Sequence, residues 1–426
     1  MLNNELCILA QTFFKLNRLY TFGIYLAGFV LKIISFFNTK IKLGVKGRSE
    51  TFKVLESQLS KTDKTLWFHC ASLGEYEQGL PIFKALRQKY TDYKIILSFF
   101  SPSGYEIRKN SPIADIVIYL PLDTSTNAKR FFNLINPELT VFVKYDIWPN
   151  FLKELKHRKL NAILISATFR NNQSFFKWYG KQTREALFAF NHIFTQNESS
   201  KLLLEQINYT STTVSGDTRF DRVTSQLQQN NNIDFINNFK QDHLCVVIGS
   251  SWPEDEKILV DYINTKAKPN TKFIIAPHNI KANQINYLKN SINKSSILFS
   301  EKKDKDLSNY QVFILDTIGL LSKVYSYADI AYIGGAMGNT GLHNTLEAAV
   351  FGVPIIIGAN HDKFPEAQDM IDNNGMLSIT NQDQLNNALT CFINDTEKRL
   401  SFGKQNELYI NKNKGAVIQI LNFLRI

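Results

Sequence analysis

The chain alternates two kinds of hydrophobic pattern. Short runs in which almost every position is apolar or β-branched, such as "TLWFHCAS", "KIILSFF" and "DIVIYLP", are separated by longer amphipathic stretches: Glu75 to Tyr90, one from Pro102 and one from Thr124. Continuous apolar runs predict strands buried on both faces, and the amphipathic stretches predict the helices that cover them. Together they predict βαβ units in parallel sheets. The series continues through "LTVFVKYD", "NAILISAT", "HIFTQN" and "TTVSGD". A polar stretch from Ser225, "SQLQQNNNIDFINNFKQDH", then interrupts it and reads as a link between domains, with room for one short helix in "IDFINNF". The alternation restarts with "LCVVIGSS", "KFIIAPH", "SSILFS", "QVFILDT", "IAYIGG" and "PIIIGAN". The expected architecture is two doubly wound, Rossmann-like α/β domains over 41–224 and 225–405, preceded by a segment over 1–40. A terminal helix over 406–426 would pack back on the first domain. Open sheets of this kind bind ligands beyond the carboxyl ends of their strands, so the expected site is a cleft where the two domains face each other.

One segment departs from this pattern. "YTFGIYLAGFVLKIISFF", from Tyr20 to Phe37, is apolar apart from Lys32, with Lys15 and Arg18 before it and Lys40, Lys42, Lys46 and Arg48 after it. No small-residue cleavage site follows, which argues against a signal peptide. A spanning helix needs about 20 mostly apolar residues, and Lys32 interrupts this one. The expectation is a helix lying in one leaflet, its basic flanks against anionic lipid on the cytoplasmic side; a buried soluble helix is the alternative. Charge points the same way, since 49 Lys and Arg against 38 Asp and Glu leave a net +11. Such a balance suits an anionic partner: a phosphorylated substrate, an acidic membrane surface or nucleic acid. No basic helix or aromatic-basic surface motif favours nucleic acid. Cys7, Cys70, Cys245 and Cys391 are scattered without a CxxC pair, so neither a zinc site nor a disulfide framework is expected.

Candidate chemistry lies at two strand ends. "GGAMGNTGLHNTLEAAVFGVPIIIG", 334–358, has four glycines in its first eight positions, after the fifth or so strand of the second domain. That is too late for a dinucleotide fingerprint, which follows a domain's first strand. Glycine backbone permits positive φ and close approach to a ligand, and free N–H groups with a helix dipole favour phosphate. A helix is expected to begin near His343, with Asn344 and Glu347 in its first turn or so. Glu347 would accept from ribose hydroxyls, and His343 is either an uncharged phosphate donor or a cap-region residue. No DxD-like carboxylate pair stands ready for a metal, and "PEDE" at 253–256 reads as the acidic first turn of a helix. A reaction without metal or cofactor is expected. In the first domain the turn is "HCASLGEYEQGLP", where Gly74 is expected to allow a tight bend. Glu75 begins the helix as a dipole partner or as a general base.

These segments, with "SFFSPSGYE", "YLPLD", "DIWPNFL", "TQNESS", "VSGDTRFD", "GSSWPEDE" and "DTIGLLSKVYSYADIAYIGG", resemble the 3-deoxy-D-manno-octulosonic acid (Kdo) transferases of lipopolysaccharide synthesis, in order and over nearly the whole chain. The resemblance implies a GT-B fold and inverting transfer of Kdo from CMP-Kdo to the glucosamine disaccharide of a lipid A precursor, at the cytoplasmic face of the inner membrane. It implies Glu75 as general base, Ser250, Ser251, His278, Gly335, His343, Asn344 and Glu347 on the donor side, and Ser72, Gly74, Asp146 and Trp148 on the acceptor side. Two departures stand out. Lys144 and Asp146 occupy a segment where the family commonly carries two glutamates, and Ala276, Pro277 and His278 stand where it commonly reads Pro-Arg-His. Lys144 and Arg219 are candidates for the missing cation. The alternatives are a related transferase using a UDP-sugar and a non-catalytic binder of lipopolysaccharide precursors at the membrane surface.

Overall fold

The computed structural model describes residues 20–425. The chain divides into two units, residues 1–222 with 415–426, and residues 223–414. In the first unit the strands are β1 Thr65–Cys70, β2 Lys94–Phe99, β3 Ile116–Tyr119, β4 Pro137–Val143, β5 Ala162–Ala167, β6 His192–Thr195 and β7 Thr212–Val214. They form one seven-stranded sheet in the order β3-β2-β1-β4-β5-β6-β7, and every pairing is parallel. The second unit holds β8 Leu244–Ser251, β9 Thr271–Pro277, β10 Ser296–Leu298, β11 Val312–Ile314, β12 Ile330–Ile333, β13 Ile355–Gly358 and β14 Met376–Ile379. Its sheet runs β10-β11-β9-β8-β12-β13-β14, again parallel throughout.

Parallel strands need helical crossovers, which cover both faces of the sheet and make its strands apolar on both sides. All six residues of β1 are buried. Their side chains alternate between two layers: Trp67 meets Phe131 and Phe142 edge to face at 4.9 and 5.1 Å, while Phe68 stacks on Phe83 at 4.4 Å on the other side. β14 escapes the sequence pattern because it is a short edge strand whose two middle residues are only half-buried.

The chain's end differs from the expected helix over 406–426. Helix Thr396–Asn413 belongs to the second unit; Gly415, at φ +113°, breaks it, and helix Ala416–Phe423 belongs to the first. The Asp221 carboxylate accepts from the Gly415 and Val417 amides at 2.9 and 3.4 Å, Ile420 is buried beside Phe68 and Phe83, and Phe423 packs on His192 at 4.3 Å.

Residues 20–34 are helical, and among the described residues no helix is long and apolar enough to cross a membrane. Lys15, Arg18 and Cys7 lie outside the described residues. The helix is tied to the segment after β3, where Tyr20 donates to Asp123 at 2.8 Å and Gly28 lies against Leu122. Phe22, Tyr25, Leu26, Phe29, Val30 and Ile33 recur at spacings of one helical turn and are exposed, as are Phe36 and Phe37 beyond it.

Asp123 is fully buried and also accepts from the backbone amides of Asn150 and Phe151 at 3.1 and 3.0 Å, so it closes the open N-terminus of helix Pro149–His157. Asp123→Ala strands these buried donors and is expected to cost about 2–4 kcal/mol. Urea unfolding checks it, as a lower midpoint at unchanged slope.

Candidate active site

In each sheet the strand order switches direction at a central pair, β1 and β4 in the first unit and β8 and β12 in the second, where β11 is also inserted between β9 and β10. Beyond the carboxyl ends of such a strand pair a crevice opens. The residues predicted from sequence fall largely on the segments that leave these four strands.

In the first unit β1 runs into Ser72, the N-cap of helix Leu73–Lys89. Glu75 is the third helical residue, and its Oε2 accepts from the Ser72 amide at 3.1 Å and from the Ser72 hydroxyl, a capping box. The other oxygen, Oε1, lies 3.8 Å from Lys144 Nζ. Of the two roles weighed from sequence the structure shows the helix-start one, made by Oε2, while Oε1 takes no part in the cap. Gly74 has no bend to accommodate. It already sits inside the helix, and a Cβ there would approach nothing closer than Ser72 Oγ at 3.8 Å. Its effect is to leave the surface beside Glu75 uncovered.

β4 delivers Lys144, Asp146 and Trp148 to the same edge. Lys144 has φ +72°, a costly conformation for a side chain other than glycine, and its amide is held by Ile165 O at 2.8 Å. Asp146 Oδ2 is 2.5 Å from His69 Nε2 and accepts from Trp148 Nε1 at 3.0 Å. His69 is wholly buried on β1. Its Nδ1 lies 2.8 Å from Ser98 Oγ, which accepts from Trp67 Nε1 at 2.8 Å. Ser98 donating to Nδ1 leaves Nε2–H to donate to the Asp146 carboxylate. The structure thus brings Ser72, Glu75, Asp146 and Trp148 to one sheet edge and adds His69. The signal for His69 was a lone imidazole in an otherwise apolar strand. Arg219 is engaged elsewhere, donating to Asp217 at 2.8 Å.

In the second unit β8 ends in Ser250, at φ +54°, and Ser251, whose buried hydroxyl donates to Glu256 at 2.9 Å. Trp252 and Asp255 then repeat the arrangement of the first unit, the third helical carboxylate accepting from the Trp252 amide at 2.9 Å. Asp255 is fully buried and also accepts from the Gly335 amide and the Tyr332 hydroxyl, both at 2.8 Å. It is therefore the anchor of the glycine loop, which reading "PEDE" as a helix start missed. The loop closes on itself, His343 N donating to Gly334 O at 3.2 Å. Gly335 has φ +100°, and a Cβ there would lie 2.1 Å from Gly341 O, so only glycine fits.

Three rings stack along this loop. Trp252 lies over His278 at 4.4 Å and 18°, and His278 meets His343 at 4.6 Å. Trp252 Nε1 donates to His343 Nε2 at 3.0 Å, so His343 is neutral with its proton on Nδ1. Burial, with His278 adding a smaller push, lowers its pKa to about 4; burial also lowers that of His278. The helix expected from His343 begins only at Leu346 and is a single turn, Leu346–Ala349. His343 cannot join it because its amide closes the loop, and Asn344 Oδ1 instead accepts from Leu346 N at 3.2 Å while its Nδ2 donates to Glu347 at 3.1 Å. The phosphate site expected from sequence would therefore have to be made by loop amides rather than by a helix dipole. An open cavity of about 640 Å³ adjoins these strand ends, lined in part by Ser251, Glu256, Pro277, Asn279 and Tyr287. Among the described residues no group of three or more His, Cys, Asp or Glu side chains is placed to hold a metal ion.

Two predictions follow from this loop. The folded His343 resists protonation, so the unfolded chain takes up that proton first. Stability should fall as pH drops from about 6.5, the ordinary imidazole value, to about 4. His343→Gln should flatten that slope, measured by urea midpoints across the range. Asp255→Ala leaves three buried donors unpaired, and a loss of about 3 kcal/mol or more is expected, read as a lowered melting temperature.

The comparisons bear on both units. Residues 46–222 match the family model described as 3-deoxy-D-manno-octulosonic-acid transferase (kdotransferase). The 3-deoxy-D-manno-octulosonic acid transferase of Haemophilus influenzae is 28% identical over 376 residues, covering 84% of this chain and 86% of its own. That of Chlamydophila psittaci is 25% identical, covering 86% of each. Among solved structures, the UDP-GlcNAc 2-epimerase of Neisseria meningitidis superposes with a TM-score of 0.61 at 15% identity, covering 85% of this chain and 100% of its own. MurG of Acinetobacter baumannii gives 0.56 at 11% identity, covering 85% and 99%. These two speak for the fold alone, a GT-B-like pair of parallel-sheet domains. The family's domain is matched over the residues that carry Glu75, Asp146 and Trp148, and the relatives align over most of both chains, so the chain is similar to the Kdo transferases, which are glycosyltransferases.

Proposed function

We propose that the protein transfers Kdo from CMP-Kdo to the glucosamine disaccharide of a lipid A precursor, with inversion and release of CMP, at the cytoplasmic face of an inner membrane. The observation that carries this reading is the division of labour within Glu75. One oxygen is fixed by the capping box and the other is left beside Lys144, so the carboxylate is held rigidly with one face available. An acceptor hydroxyl lying against Oε1 gives up its proton to it as its oxygen bonds to the anomeric carbon. The bond from that carbon to the cytidylate oxygen breaks in the same displacement, which inverts the centre.

The leaving cytidylate is an anion, and the amides of a glycine loop pinned by Asp255 suit it, with neutral His343 offering Nδ1–H. Lys144 supplies positive charge where the relatives' commoner pattern has a carboxylate, and would meet the Kdo carboxylate or an acceptor phosphate. Asp146, with one oxygen occupied by His69 and Trp148, keeps its other oxygen for an acceptor hydroxyl. The exposed apolar stripe of the helix at 20–34, followed by Lys40, Lys42 and Lys46, suits a helix lying on an anionic bilayer from which an acylated acceptor is drawn.

The test is an assay in detergent with freshly generated CMP-Kdo and a tetra-acylated lipid A precursor, read by mass spectrometry. The wild type should add one or more Kdo masses. Glu75→Gln keeps the capping acceptor, hence the fold, and should lower kcat by about 10²- to 10⁴-fold. No Kdo gain by folded wild-type protein would refute the proposed donor and acceptor. An undiminished Glu75→Gln rate would refute the base.

A further inference from the structure

We propose that the loop carrying Trp178 and Tyr179 is a second contact with an anionic lipid bilayer, made by residues other than those of the N-terminal helix. The inference rests on the membrane location proposed above, but on different residues.

The segment "SFFKWYGKQTR", 174–184, follows β5 and leads into helix Lys181–Leu187. Trp178 is 91% exposed and Tyr179 56% exposed, and the two rings meet edge to face at 5.7 Å. Two large adjacent aromatics left in water forgo a sizeable burial energy, which marks a surface that is covered by something. The pair is not a loose tip. Arg184 donates to Phe175 O at 2.8 Å and to Lys177 O at 2.6 Å, and the Gly180 amide donates to Lys177 O at 3.0 Å. Phe175 is buried against Phe169, and a Cβ on Gly180 would lie 1.5 Å from Ser174 O. The backbone is thus locked in a shape that keeps Trp178 outside.

The surroundings select the partner. Arg170, Lys177, Lys181 and Arg184 belong to the same stretch, and Lys153 and Lys156 are exposed on the adjoining helix Pro149–His157. Of the two carboxylates on these segments, Glu154 is paired with Arg158 and Glu185 faces Lys181, Lys156, Lys153 and Arg184. Indole and phenol rings seat at headgroup depth, and lysine and arginine meet lipid phosphates, so this composition suits the bilayer interface.

Position supplies the second argument. The loop leaves the carboxyl end of β5, and the N-terminal helix is fastened through Tyr20 to Asp123, whose carboxylate also accepts from Asn150 and Phe151 at the start of the helix that follows β4. β4 and β5 are neighbours. Both features therefore lie at the carboxyl edge of this sheet, from which Glu75 and Asp146 also leave, and two interfacial contacts there would hold that edge against the lipid headgroups.

The full chain is mixed with vesicles of equal parts phosphatidylethanolamine and phosphatidylglycerol, with and without brominated acyl chains, and partition and tryptophan quenching are measured. Trp178→Ala with Tyr179→Ala is expected to weaken partition about tenfold and to remove most of the quenching by brominated lipid, at an unchanged melting temperature. Trp178→Tyr should retain most of the partition. Unchanged partition and unchanged quenching in the double variant would overturn the proposal. So would unchanged partition accompanied by weaker binding of a lipid-free phosphorylated glucosamine disaccharide, which would make the loop a sugar platform. Wild-type protein that fails to bind these vesicles would sink the membrane location as well, whereas failure of the loop variant alone leaves the helix and the transfer chemistry standing.

Discussion

Parallel pairing is the constraint from which the rest follows. When every strand of a sheet points the same way, all the carboxyl ends lie on one edge, and every connection must cross back as a helix over one face or the other. The faces are then sealed, which is why β1 is buried throughout and apolar apart from Thr65 and His69. Only the carboxyl edge remains open for polar chemistry. Reversal of strand order selects one place on that edge, and the chain spends its unusual residues there: the left-handed backbone at Lys144 and Ser250, the glycines at 334 and 335, and the buried histidine.

The two units use one local device for two purposes. In each, the first strand is followed at once by a helix whose third residue is a carboxylate turned back onto the N-cap amide. Asp255, the shorter side chain, is buried and satisfied by the glycine loop, so it is a structural acceptor. Glu75, one methylene longer, reaches back with one oxygen and keeps the other at the surface. A difference in burial separates a carboxylate used up by its contacts from one that keeps an oxygen beside Lys144.

The strand series of the first unit is legible in the sequence because strands buried on both faces leave uninterrupted apolar runs. The edge strand β14 leaves a weak one and was passed over. What sequence does not carry is long-range commitment of polar groups. "LHNTLEAAVF" has the composition of a helix from His343, yet the His343 amide is taken by Gly334 and its ring is fixed by Trp252, 91 residues earlier in the chain, and the helix shrinks to one turn. Gly74 looked like a bend and is an ordinary helical position. Glu75 is legible from its place at a helix start, and Asp146 and Trp148 only through family likeness, whereas the pairing of Asp146 with His69 depends on two strands, β1 and β4, becoming neighbours across a long stretch of sequence.

The break at Gly415 has one more outcome. Since the final helix returns to the first unit, the polypeptide passes between the units twice, once near residue 222 and again near 414. The Asn- and Gln-rich link is therefore only one of two covalent ties. A protease that cut it would leave a nicked molecule whose halves are still one chain at the other crossing, and the second unit is an uninterrupted piece of the gene inserted into the first.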